Sequence, residues 1–229
     1  MLKRFILHFA APLMLAVSTQ ANPVYSSAFG NDFTDHWDAT SKEGPGAEVQ
    51  VVEATLPDGS TRMALRVDDT GNRGNSSYLT ALRYFEPQSE HLNVRFRIRF
   101  RSTDRSSAST FDWRLRLLGT NETVHLRMRQ RSDRNGFSHL EGLPSQYAQS
   151  AIDTIQLDEW YEVTLAVDLK EKRYSWKAKN LTPGSTQIAE VNDVPFVQGS
   201  SPTINRIAFT TITRGGAFEL CDVTVTTAD

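Results

Sequence analysis

Leu92-Asn93-Val94-Arg95-Phe96-Arg97-Ile98-Arg99-Phe100-Arg101 alternates without a fault between apolar and polar side chains, and every polar one after Asn93 is arginine. Strict alternation of this kind is the signature of a β-strand buried on one face only. Two later stretches repeat it. Phe111, Trp113, Leu115 and Leu117 alternate with Asp112, Arg114 and Arg116, and Val124, Leu126 and Met128 alternate with His125, Arg127 and Arg129. If the three strands pair, their guanidiniums form a two-dimensional array, roughly 5 Å apart across the ladder and about 7 Å apart along each strand. Like charges set directly opposite one another destabilise a sheet, so the pattern calls for a reason.

Between Arg83 and Arg131 there are eleven arginines, no lysine and only five carboxylates, in a chain whose formal charge is −2. The arginine fork binds carboxylate or sulfate bidentately. One reading is an anion-binding face. The other is a solvated face whose arginines pair with acids on other strands, for which Glu162, Asp168 and Glu219 are available. Exposed pairs of that kind contribute about 0–1 kcal/mol each.

Outward from these strands the signals stay β. Val49 to Leu56 and the run carrying Met63, Leu65 and Val67 flank Pro57-Asp58-Gly59, a turn in which proline presets φ and glycine tolerates its positive value. Tyr78 to Phe85 is a further strand, and Ser102 to Thr110 reads as a polar hairpin loop. Ser132 to Gln156 reads as a long connection whose Phe137, His139, Leu140 and Tyr147 either pin it to the sheet or cover a ligand. Tyr161, Val163, Leu165, Val167 and Leu169 share one face of a hairpin that turns at Lys170-Glu171-Lys172. Tyr174 and Trp176 return on that apolar face, with Arg173, Ser175, Lys177 and Lys179 on the other. In the last strand the apolar phase slips from Phe218 and Leu220 to Val223 and Val225, which predicts a bulge near Cys221-Asp222. Many short strands with regular turn signals and no helical periodicity predict an all-β, antiparallel sandwich.

The chain opens Met1-Leu2-Lys3-Arg4, runs apolar from Phe5 to Val17, and reaches Ala21 before Asn22-Pro23. This reads as a secretory signal peptide over residues 1–21, too short to span a bilayer. Its removal takes Lys3 and Arg4 with it and leaves a formal charge of −4. Residues 22–229 then form one domain. The single cysteine, Cys221, allows no intrachain disulfide. Export without disulfides fits a bacterial periplasm or the medium. Zinc spacings, a phosphate loop and the Gly-x-Ser-x-Gly elbow are all absent, and nothing points to a nucleic-acid partner.

Three stretches carry a resemblance. Phe29…Asp32-Phe33…Trp37, Trp160-Tyr161-Glu162-Val163 closing on Val167-Asp168, and Phe218-Glu219-Leu220-Cys221-Asp222-Val223-Thr224-Val225 resemble concanavalin A-like jelly rolls over nearly the whole of residues 22–229. The resemblance implies two curved sheets with carbohydrate on the concave one, in a superfamily of lectin-like domains, glycoside hydrolases and polysaccharide lyases. The Glu-x-Asp-x-x-Glu strand of its glucanases is missing here, and glycoside hydrolysis needs two carboxylates on one face. Thr123-Val124-His125 is similar to the Gln-Val-His stretch of alginate-lyase jelly rolls, with Thr in place of Gln, which implies a proton-transfer role for His125. A structural Ca²⁺ is also implied, with Asp32 and Asp222 as candidate ligands beside Asp68 and Asp69. The expectation is therefore an exported protein that binds an acidic polysaccharide through Arg95, Arg97, Arg99, Arg114, Arg116, Arg127, Arg129 and Lys177. The alternative is a lyase that cleaves a uronate-containing glycan by β-elimination at His125.

Overall fold

A computed structural model describes residues 23–27, 37–41, 48–68, 78–101, 111–130, 135–140, 147–149, 155–197, 200–212 and 217–227. The expected signal peptide, the Ser102 to Thr110 loop, Asp32 and Asp69 lie outside them. The strands are β1 (Pro23–Ser26), β2 (Asp38–Ser41), β3 (Glu48–Thr55), β4 (Thr61–Asp68), β5 (Tyr78–Gln88), β6 (His91–Arg101), β7 (Phe111–Leu118), β8 (Glu122–Gln130), β9 (Asn135–Leu140), β10 (Tyr147–Gln149), β11 (Trp160–Asp168), β12 (Arg173–Asn180), β13 (Ile188–Pro195), β14 (Ile204–Ile212) and β15 (Ala217–Thr227). They form two antiparallel sheets, as expected. The first runs β13-β12-β11-β6-β15-β4-β3 with β1 added to β15, and the second runs β10-β9-β8-β7-β14-β5-β2.

The apolar phases close face to face. Phe96, Phe100 and Phe218 of the first sheet meet Trp113, Phe137 and Phe209 of the second, all buried. Trp113 is the hub, with ring centroids 5.5 Å from Phe100, 6.2 Å from Phe96 and Phe209, 6.3 Å from Phe137 and 6.4 Å from Phe218. Aromatic pairs at such separations add about 0.5–1.5 kcal/mol each beyond the area they bury. Tyr174 and Trp176 sit in this core, as their alternation phase requires.

The main correction follows from this closure. β6 and β7, expected as a hairpin, sit in different sheets: β6 lies between β11 and β15, and β7 between β8 and β14. Alternation says which face of a strand is apolar, not which sheet it joins. With both apolar faces turned inward, the arginines of β6 and those of β7 leave the molecule on opposite sides. The connection read from Ser132 to Gln156 also contains two strands, β9 and β10. Its inward positions include His139, which broke the apolar alternation. His139 is buried, and its Nδ1 accepts a hydrogen bond from Trp176 Nε1 at 3.3 Å.

Local devices match their sequence signals. Gly59 adopts φ +80°, and Asp58 Oδ1 accepts from the Ser60 amide at 2.9 Å and from its hydroxyl at 2.6 Å. The bulge is at Cys221–Thr224, with Asp222 at φ +52°. It marks a change of partner: Ala217–Leu220 pair with β4, and Thr224–Thr226 pair with β1.

The outer face of the first sheet carries its own small core of Ala54, Leu56, Ala64, Trp160 and Cys221. Beside it lies Glu219, whose side chain is 0% exposed. Arg66 Nη2 donates to its Oε1 at 2.5 Å and Arg99 to its Oε2, while Arg101 Nε lies 3.9 Å away. The Arg99 guanidinium also stacks 4.9 Å above the Trp160 ring. Removing one partner of a buried ion pair costs more than the pair is worth, because the other charges stay behind. Glu219→Gln should destabilise the protein by about 3–5 kcal/mol, read as a lower urea midpoint at unchanged slope. Glu162→Gln, at a side chain 22% exposed to solvent, should cost less, about 1 kcal/mol. Equal costs for the two would contradict the assignment.

Burial pushes the Cys221 thiol up to about 12, with the Asp222 carboxylate acting in the same direction. Burial also raises the Tyr25 and Tyr161 hydroxyls. In the folded state these groups keep protons that the unfolded chain releases from pH 9.0 upward. Their contribution to stability is therefore whole below that pH and is lost as pH climbs toward about 12. Denaturation midpoints should fall across this window, and native Cys221 should resist iodoacetamide until the chain unfolds. Rapid alkylation of the native protein would refute the buried placement.

Candidate functional site

The expected cationic residues divide between two faces. On the first sheet, the register sets Arg97 between Glu162 and Cys221, and Arg99 between Trp160 and Glu219. Arg95 Nη2 lies 2.5 Å from Glu162, Arg97 Nη1 lies 2.9 Å from Asp222, and Arg97 Nε lies 3.6 Å from Glu162. Lys177 Nζ lies 2.8 Å from Glu190, across the β12–β13 ladder. Arg95, Arg97, Arg99 and Lys177 therefore each face a carboxylate. The pairing reading of the arginine pattern holds on this sheet, with two of the three acids named for it, Glu162 and Glu219. The third, Asp168, faces His91 at 3.5 Å.

Asp222, expected as a calcium ligand, is taken up by Arg97. Among the described residues, no three carboxylate, histidine or cysteine side chains converge as metal ligands. Asp32 and Asp69, also expected as ligands, lie outside the described residues.

The second sheet differs. The β7–β8 register sets Arg114 opposite Arg127, Arg116 opposite His125, and Asp112 opposite Arg129. Two cation-bearing pairs thus stand side by side in the middle of the sheet. Such juxtaposition is unfavourable in a bare sheet. Arg116 Nη2 donates to Thr210 Oγ1 at 3.1 Å, and Thr210 Oγ1 lies 3.0 Å from Thr80 Oγ1. Both threonines are buried, so this hydroxyl pair orients the guanidinium from its sheet. Glu122 Oε2 approaches Arg116 Nη1 at 4.0 Å. The turn joining the two strands is held tight at Gly119, where an added Cβ would meet the Thr203 carbonyl oxygen at 2.0 Å.

Sequence reasoning missed Tyr84 and Arg206. They are cross-strand partners on β5 and β14, with the Arg206 guanidinium 5.8 Å from the Tyr84 ring. Tyr84 is 50% exposed, a ring available for stacking. The signal was present: Thr80, Leu82 and Tyr84 share the phase opposite to the buried Leu79 and Ala81. Tyr174 is buried in the core against the His139 ring, as its alternation phase requires.

No protein-family model and no curated relative matches the chain. Solved structures do. The globular domain of T. cruzi calreticulin aligns at TM-score 0.59 and 10% identity, over 91% of this chain and 89% of that one. Peanut lectin aligns at 0.51 and 10% identity, over 84% and 98%. The lectin UEA-II, solved in complex with galactose, aligns at 0.51 and 8% identity, over 82% and 98%. At such identities the likeness is one of fold, and it agrees with the two antiparallel sheets described above. The chain is a concanavalin A-like jelly-roll β-sandwich.

Proposed function

We propose that this protein is an exported carbohydrate-binding protein that recognises an acidic polysaccharide on the outer face of the β7–β8–β14 sheet. The observation that carries the reading is the register that sets Arg114 against Arg127 and Arg116 against His125. Carbohydrate as the ligand class is supported by lectins of the same fold, one of them complexed with galactose. Acidity is supported by the guanidinium forks, and the exposed Tyr84 ring offers a sugar a stacking surface. Export rests on the basic and then apolar opening of the sequence.

The test is electrophoresis through gels carrying alginate, pectin or a sulfated glycan. Retardation by an acidic gel should weaken as salt rises, because exposed charges are screened. Arg114→Gln with Arg116→Gln should weaken binding by roughly one to two powers of ten, as expected for lost charge-assisted hydrogen bonds of about 1.5–3 kcal/mol. Arg95→Gln, on the opposite face, should leave it unchanged. Retardation by neutral gels alone would reject the arginine reading.

The same register favours a second reading, a uronate lyase. His125 faces Arg116 across the ladder, so a base and a carboxylate clamp are neighbours. The base would take the proton beside the uronate carboxylate, and the glycosidic bond would break with its electron pair leaving on oxygen. Incubation with alginate or pectin should then raise ultraviolet absorbance from the unsaturated product, and His125→Ala should abolish the rise while binding persists. A flat absorbance on every uronate polymer would leave the protein a binder.

A further inference from the structure

The first sheet's outer face holds two adjoining grooves, about 440 Å³ and 390 Å³ in volume, that share Asn93, Ala166, Ser175 and Asn192. They form one trough. The register explains its line: Thr226 pairs with Asn93, Asn93 with Ala166, and Ala166 with Ser175. The row ends at the β13 bulge, where Asp193 turns to φ +62° and its amide donates to Ser175 Oγ at 3.1 Å. The trough therefore runs across five strands, or four spacings of about 4.8 Å, for a length of roughly 19 Å. Its depth comes from Ala166, whose methyl group is exposed although β11 lies inside the sheet.

The chemistry of the trough is neutral. Its floor offers amides and hydroxyls, which donate and accept. Charges stand along both sides, most of them in pairs: Arg95 with Glu162 and Lys177 with Glu190 on one side, Arg173 with Asp193 and the His91 ring beside Asp168 on the other, with Glu171 at the β11–β12 turn outside those pairs. The hydrogen bond from Lys177 holds the Glu190 carboxyl below its ordinary range. Paired walls give little net attraction to an ion. A long, shallow, uncharged groove with two-way hydrogen bonding suits a polyhydroxylated chain.

We propose that this trough is a second glycan site, on the face opposite the arginine and histidine pairs, and that it takes a neutral polysaccharide lying across the strands. The two faces then bind different polymers, and one molecule bridges them. This site stands on the first sheet's geometry alone and does not depend on the acidic-glycan reading.

The test is electrophoresis of the wild type and Ala166→Trp through gels of β-glucan, xylan and galactan in about 1 M salt, where the screening length falls to roughly 3 Å. An indole suits an exposed strand position and fills the trough. The wild type should be retarded by at least one neutral gel despite the salt, and Ala166→Trp should lose about tenfold in apparent affinity. Asn93→Ala should weaken the same interaction. An acidic gel at low salt, run with the same variants, reports the fold and the other face. The proposal is overturned if all three neutral gels leave the wild type unretarded, or if Ala166→Trp is retarded as strongly as the wild type. It is also overturned if Ala166→Trp loses the acidic gel alone while circular dichroism shows its strands intact.

Discussion

Two apolar sheet faces closing over Trp113 constrain everything else in this molecule. Once Phe96, Phe100 and Phe218 pack on Trp113, Phe137 and Phe209, each strand has one phase for the core and one for solvent. Every cation of the alternating strands must then leave through one of two opposite surfaces. The sandwich separates Arg95, Arg97 and Arg99 from Arg114 and Arg116 by its own thickness, and no single arginine array forms.

The two surfaces treat their arginines differently. On the first sheet, neighbouring strands supply Glu162, Glu219 and Asp222 at the positions where cations need them. Glu219 is the extreme case, a fully buried carboxylate beside three guanidiniums and a tryptophan-capped apolar cluster. That arrangement fixes strand register and edge packing more than it offers a ligand anything. On the second sheet, the residues opposite Arg114 and Arg116 are an arginine and a histidine, and buried threonine hydroxyls hold Arg116 in place.

The sequence carried strand periodicity well because one-sided burial writes itself as alternation. It marked the bulge at Cys221–Asp222 through a phase slip and the Asp58–Gly59 turn through its residue types. It also placed Tyr174 and Trp176 inside. Sheet membership was not legible, because alternation is the same in either sheet, so β6 and β7 looked like a hairpin. β9 stayed hidden because an inward His139, satisfied by Trp176, reads as polar. β13 stayed hidden because the bulge at Asp193 breaks its period. Of the candidate residues, the sequence identified the cations and two of the acids that face them, Glu162 and Glu219, and missed Glu190 beside Lys177. Which acid faces which arginine on the first sheet was decided by pairings between strands more than sixty residues apart, such as Arg95 with Glu162.

In the proposed function, anions are received by the β7–β8 face and not by the β6–β11 face. The most direct measurement is a titration of the protein with an acidic oligosaccharide, following the arginine Nε–H resonances by NMR. The proposed site predicts progressive shifts for Arg114 and Arg116, with Arg95, Arg97 and Arg99 unmoved in their carboxylate pairs. Shifts confined to Arg95, Arg97 and Arg99 would contradict it.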